Sequence, residues 1–390
     1  MRKDWEYKKL KDICSFVGDG DWIESKDQSN AGLRLIQTGN IGNGIFHDKA
    51  EKAKYISEST FIELSCTEIF HGDCLLSRLP DPIGRSCILP QLNERAITAV
   101  DCTILRFTNK IYPTFFVYYT LSTPYAISII SKTTGSTRKR ISRKNLEGIL
   151  IPIPPKPTQL AIVAELDKIN ELIQLKKEQL KDYDQLAQSI FYEMFGDPVE
   201  NEKGWEVKKL GEVCETSSGG TPSKTHTEYY ENGTIPWLRS GEVSQGYIYD
   251  AEIYISELGL NKSSAKIFPK DTVLIAMYGA TVGEVGILCN PMCTNQAICG
   301  ILPNDLYNSE FLRYVLLSHK DKYLSLASGG AQPNISQQII KSTLIPFIDK
   351  PLQQQFAARI EAIERQKQQV SETIKDLETL LASRMQYWFD

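Results

Sequence analysis

Residues 131–146, SKTTGSTRKRISRKNL, gather six cations and no acid: Lys132, Arg138, Lys139, Arg140, Arg143 and Lys144. Gly135, Ser136 and Thr137 supply a flexible turn ahead of the densest part, and Asn145 follows it. Guanidinium and ammonium groups bond phosphate oxygens wherever they meet them, and arginine can also bridge O6 and N7 of guanine in a major groove. Neutralising several phosphates releases counterions, so such binding falls steeply with salt. A solvated surface loop has the same composition, and the run alone does not separate the two.

Groups that could turn over a substrate are not assembled. No G-x-x-x-x-G-K-[ST] loop occurs, since Gly-Lys is never found as a dipeptide. Ile153-Pro-Pro-Lys156 has the prolines of an amino-methyltransferase motif without its polar residue or aromatic ring. The four histidines, His47, His71, His226 and His319, lie far apart. Cys289, Cys293 and Cys299 lack a fourth ligand, so no metal site is expected and the thiols are better read as core. Pro80-Asp81 with Arg85 lacks the second carboxylate and lysine of a nuclease centre. The net charge of −4 gives no global attraction to polyanions, so any such binding must be local. Nine scattered cysteines with no export signal suit reduced thiols and a cytoplasmic protein, and no apolar run has the length of a membrane span.

The elements that would position these residues come in two copies. WEYKKLKDIC (5–14) returns as WEVKKLGEVC (205–214), and YISE (55–58) returns unchanged at 254–257. LIPIPPKPTQ (150–159) pairs with LIPFIDKPLQ (344–353), all in the same order along the chain. Each copy begins with roughly 145 residues rich in Gly, Pro, Tyr, Ile and Thr, whose short apolar runs broken by turn dipeptides predict a β-rich α+β domain. After the proline clusters the period changes. Leu166, Ile169, Ile173, Lys176, Leu180, Tyr183, Ala187, Ile190 and Met194 alternate by three and four. So do Ile360, Ile363, Lys367, Val370, Ile374, Leu377, Leu381, Arg384 and Trp388. A helix of that length is ~57 Å long at ~1.5 Å per residue, and matched seams predict a mutual coiled coil.

The expected architecture is therefore α+β: two tandem β-rich domains separated by two long antiparallel helices forming a coiled coil, with a pseudo-two-fold internal repeat. The boundaries are 1–157 for the first domain, 158–196 for the central helix, 197–351 for the second domain and 352–390 for the distal helix. Opposite the basic run stands SGGAQPNISQQII (328–340), which keeps the glycine turn and Ile-Ser. It replaces the cations with Gln332, Asn334, Gln337 and Gln338, and Gln and Asn can pair with the N6 and N7 edges of adenine. Further candidates for base or backbone contact are Gln37, Thr38, Asn40 and Asn43, with their matches Arg239, Ser240 and Gln245. Thr221, Asn295 and Gln296 lie on other polar loops of the second copy.

Two β-rich domains each followed by a long helix, the L-I-P start of each helix, and SIFYEMFGD at 189–197 resemble the specificity subunit of type I restriction–modification enzymes. The distal copy departs from the pattern, ending SRMQYWFD without Gly-Asp-Pro. The resemblance covers the whole chain. It implies a non-catalytic subunit that reads a bipartite, asymmetric site in double-stranded DNA. It also implies docking of two adenine-methylating subunits and, in the full complex, two restriction subunits. S-adenosylmethionine, ATP and Mg would belong to those partners, with no cofactor in this chain. At the level of residues alone, an interaction scaffold or an unfamiliar DNA-modifying enzyme stays open.

Overall fold

The computed structural model describes residues 5–135, 139–328 and 333–390. The chain forms two compact units: Met1–Lys177 with Glu372–Asp390, and Glu178–Ser371. Each long helix is therefore divided between the units, at Lys177 and at Ser371.

In the first unit, strand Glu6–Lys9 pairs antiparallel with Leu150–Ile153, so the start of the module is fastened to its end. One sheet has the order Cys14–Asp19, Cys102–Phe107, Cys74–Ser77, Ser86–Ile88. The other runs Gln28–Ser29, Lys54–Ile56, Leu33–Ile36, Ala96–Thr98, Glu68–Ile69. In the second sheet the pairing of Leu33–Ile36 with Ala96–Thr98 is parallel. The inner strands Leu33–Ile36, Cys74–Ser77 and Ala96–Thr98 are buried at every residue, so both of their faces are covered. Phe115-Phe-Val-Tyr-Tyr119 forms a helix, Pro113–Thr120, with all five residues buried.

The second unit repeats the plan. Val207–Lys209 pairs with Leu344–Pro346. A five-stranded sheet runs Thr216–Ser218, Ile298–Ile301, Val273–Ala276, Val285–Leu288, Tyr247–Ile248. A four-stranded sheet runs Ile253–Ile255, Ile235–Leu238, Met292–Thr294, Ile267–Phe268, with Ile235–Leu238 and Met292–Thr294 parallel. The helix matching Pro113–Thr120 is Ser309–Ser318.

The long helices are Lys156–Phe195 and Lys350–Phe389. Both begin two residues before the expected start. Pro157 and Pro351 fall in the first turn, where a missing N–H costs nothing. Each start is held by a fully buried glutamine. Gln159 Oε1 accepts the Tyr112 N–H at 2.7 Å while its Nε2 donates to the carbonyls of Lys110 (3.0 Å) and Pro154 (2.9 Å). Gln353 makes the same three bonds, to Asn308 N–H (2.8 Å), Leu306 O (3.0 Å) and Ile348 O (2.7 Å).

Within each unit the helix segments run antiparallel. In the first, Glu165 binds Arg384 and accepts Trp388 Nε1–H at 2.9 Å, and Lys177 lies 3.0 Å from Glu378. In the second, Lys367 Nζ is 2.8 Å from Asp184, and Phe191 and Phe195 pack on Phe356. Leu166, Ile169, Ile173, Ile360, Ile363, Val370 and Ile374 are buried. Leu180, Tyr183, Ile190, Leu377 and Leu381 are half-buried. The heptad reading overlooked Ile162, Phe195, Phe356 and Phe389, which are also buried. They turn toward the module cores, a second face that a single seam does not represent.

Candidate nucleic-acid interface

The turn after the central parallel strand carries the first set of candidates in each unit. In Thr38–Asn40 the Asn40 Oδ1 accepts the Gln37 N–H at 3.0 Å and Asn40 Nδ2 donates to His47 O at 2.9 Å. In Ser240–Gln245 the buried Glu242 does the same work, accepting the Arg239 N–H at 2.9 Å and the Glu252 N–H at 2.9 Å. Asn40 is therefore a cap: its amide is spent inside the turn and it is only 8% exposed, too buried to meet a base edge. Gln37 and Asn43 are exposed and Thr38 is half-buried.

Arg85 fixes this turn from below. Its guanidinium donates to four carbonyls: Ile41 (2.6 Å), Leu79 (2.8 Å), Thr38 (2.8 Å) and Pro82 (3.0 Å). Sequence reading weighed Arg85 only as part of a nuclease centre; it is a structural clamp. In the second unit Arg239 is exposed but engaged by Glu242 at 3.6 Å and by Glu252. Ser240 is half-buried. Gln245 is exposed and, with Tyr247, Tyr249, Glu310 and Glu361, lines a cleft of ≈980 Å³.

Of the basic run, Lys139, Arg140, Arg143 and Lys144 are exposed. Arg140–Ile141 pairs with Thr133–Thr134, and Ser142 caps the short helix Arg143–Glu147 by accepting the Asn145 N–H. Arg143 is partly offset by Glu147 at 3.3 Å and Asp19 at 4.0 Å. Lys132 does not join the group: its ammonium donates to Gly148 O at 3.0 Å and its carbonyl accepts from Asn145. Ser136, Thr137 and Arg138 lie outside the described residues, as does Gln332.

In the second unit Asn334 is exposed and exchanges backbone bonds with Ser328 at 2.8 Å and 3.0 Å. Gln337 turns inward, its Nε2 donating to Thr216 Oγ1 at 2.9 Å, and so braces a strand instead of presenting an amide. Thr221 and the exposed Gln296 bond each other. Asn295 caps its own turn through the Ala297 N–H at 3.2 Å. The loop bearing Thr221 begins at Gly219, where an added Cβ would lie 2.2 Å from Thr294 Oγ1. At Gly20, which leads into the exposed Trp22 of the first unit, a Cβ would lie 2.2 Å from Thr98 Oγ1. The two modules thus hang an exposed loop from the same close approach.

Three exposed lysines beside the first turn, Lys49, Lys52 and Lys54, were not singled out from sequence. Their irregular spacing among acids and alanines carries no periodic signal. No group of three or more metal-ligating side chains occurs among the described residues, and all nine cysteines are free. Burial pushes the Cys87 and Cys102 thiols up to about 12, which makes them inert at neutral pH. No described helix is long and apolar enough to cross a membrane.

A profile for the type I restriction modification DNA specificity domain matches the chain twice, over residues 2–182 and 202–379, and the chain belongs to that family. It is a DNA sequence-specificity subunit, and catalysis lies in other subunits of such systems. Among its relatives is the MjaIX specificity subunit of Methanocaldococcus jannaschii, 24% identical over 93% of this chain and 87% of that protein. Another is the EcoR124I/EcoR124II specificity subunit of Escherichia coli, 26% identical over 70% of this chain and 69% of that one. The fold matches a chain from a structural study of type I R-M complex assembly and conformational transition, with a TM-score of 0.64 and 19% identity, over 100% of this chain and 98% of the other. It also matches the S subunit of M. genitalium, with a TM-score of 0.52 and 14% identity over 98% and 95% of the two chains.

Proposed function

We propose that each module reads one half of a split, asymmetric duplex site, and that the paired long helices set the spacer between the halves. The observation that carries this is one turn used twice with different outward side chains. Gln37, Thr38 and Asn43 occupy the positions of Arg239, Ser240 and Gln245, while the inward cap is kept as Asn40 or Glu242. The turns differ in length, Thr38–Asn40 against Ser240–Gln245, but share the capping bond three residues back, and a shared cap with changed outward donors and acceptors suits two readers of different sequences. The exposed Lys139, Arg140, Arg143 and Lys144 add phosphate contacts in the first module only. Two methyltransferase subunits dock on the two copies of the helical surface, and two restriction subunits join them in the full complex. S-adenosylmethionine, ATP and Mg act on those partners, in the cytoplasm.

The test replaces residues 10–150 with the corresponding module of a relative and maps modified adenines by methylation-sensitive sequencing in cells that supply the methyltransferase. One half-site changes and the other stays. A change in both halves refutes the modular reading.

A further inference from the structure

Around the Gln37–Asn40 turn the first unit has a hollow of ≈380 Å³ lined by Arg34, Gln37, Thr38 and three lysines, Lys49, Lys52 and Lys54. Arg34 is buried and its charge is met by Asp48 and by Glu94 at 3.4 Å. The lysines differ. All are exposed, and among the described residues none has a carboxylate within 4.0 Å. Lys49 Nζ lies 3.1 Å from the place a Cβ on Gly39 would take, directly over the turn. Glu51, the remaining nearby acid, does not line the hollow.

The corresponding stretch of the second unit carries the opposite charge. There Asp250 and Glu252 precede Tyr254-Ile-Ser-Glu257, and Ile248, Ala251 and Ile253 stand where Lys49, Lys52 and Lys54 precede Tyr55-Ile-Ser-Glu58. Glu252 is bound to Arg239, and Asp250 accepts the Tyr254 hydroxyl at 2.5 Å and the Ala251 N–H at 2.9 Å. One copy of the turn is ringed by unpaired ammonium groups; in the other the turn's lone cation, Arg239, is met by Glu242 and Glu252 and the surroundings are acidic.

We propose that Lys49, Lys52 and Lys54 form a phosphate-backbone contact of the first module, seated beside the Gln37–Thr38 edge, with no counterpart in the second. This rests on the reading of the modules as duplex readers. The two half-sites then differ in kind: the first draws more on counterion release, the second on neutral hydrogen bonding.

The experiment measures anisotropy of a fluorescein-labelled random-sequence duplex with the full chain in its methyltransferase complex, across a salt series. For K49Q/K52Q/K54Q the slope of log affinity against log salt falls by up to ~2.7, from three contacts at ~0.9 each. K49R/K52R/K54R keeps the wild-type slope, because the charge is retained. An unchanged slope in the glutamine variant overturns the proposal, as does an equal fall in both variants, which marks a structural role. Failure of the wild-type complex to bind duplex at low salt sinks the proposed function itself, a different result.

Discussion

Replacing Gln159 with leucine removes three hydrogen bonds at a fully buried position and leaves the Tyr112 N–H and the carbonyls of Lys110 and Pro154 without that partner. Each bond is worth about 1 kcal/mol net, and a stranded buried donor adds its own desolvation cost, so the loss works out at about 2–4 kcal/mol. Gln353 has the same burial and the same three partners in the second unit, so Q353L should cost as much. The two sites share no partner, and their effects should add to within ~0.5 kcal/mol in the double variant. Urea unfolding followed by circular dichroism gives the free energies. Hydrogen exchange read by mass spectrometry should show faster opening around Tyr112 in one variant and around Asn308 in the other. A cost below about 1 kcal/mol at either site would refute the argument that the amide, rather than the proline turn, fastens each long helix to its module.

Inserting one heptad into each long helix lengthens both by ~10 Å and should widen the spacer of the modified site by about three base pairs, at ~3.4 Å per pair; methylation mapping reads this, and an unaltered spacer counts against helices as the ruler. Hydrogen bonds from Arg384 and Trp388 hold the Glu165 carboxyl below its ordinary range. A depressed folded pKa means the stabilisation is complete above the unfolded value of about 4.3 and is lost as pH falls through the folded one. E165Q should therefore flatten the acid limb of the stability curve, by a small amount because the pair is about a third exposed. K139Q/R140Q/K144Q should lower the salt slope of duplex binding, whereas R143Q should lower it less, since Glu147 and Asp19 already offset Arg143.

The duplication, the helices and their buried faces were readable because periodicity survives divergence: Leu166, Ile169 and Ile173 stand at positions equivalent to Ile360, Ile363 and Lys367. Local chemistry was less readable because one residue type serves two ends. Asn40 and Gln337 carry the amides that suit an adenine edge, yet one caps its turn and the other braces a strand, and only tertiary placement separates those uses. Lys132 belonged to a basic run by composition but had a carbonyl within reach at Gly148. Proline at 157 and 351 signals a break from inside a chain, but it is also the residue best suited to a first helical turn.

The paired turns suggest why such a scaffold can change what it reads without refolding. Asn40 and Glu242 differ in charge, yet both place an oxygen about 3 Å from the N–H three residues earlier, which is all the turn requires. The exposed neighbours, Gln37 against Arg239, each give their own backbone N–H to that bond, and the Arg239 side chain also lies 3.6 Å from the capping Glu242 carboxylate. At the turn itself the outward cation of the second copy, Arg239, has the outward Glu252 against it, whereas Lys49, Lys52 and Lys54 beside the first turn have no such partner among the described residues. On the proposed reading of these turns, the cap at Asn40 and the exposed Asn43 serve stability and recognition separately, and a substitution of Asn43 need not disturb the cap.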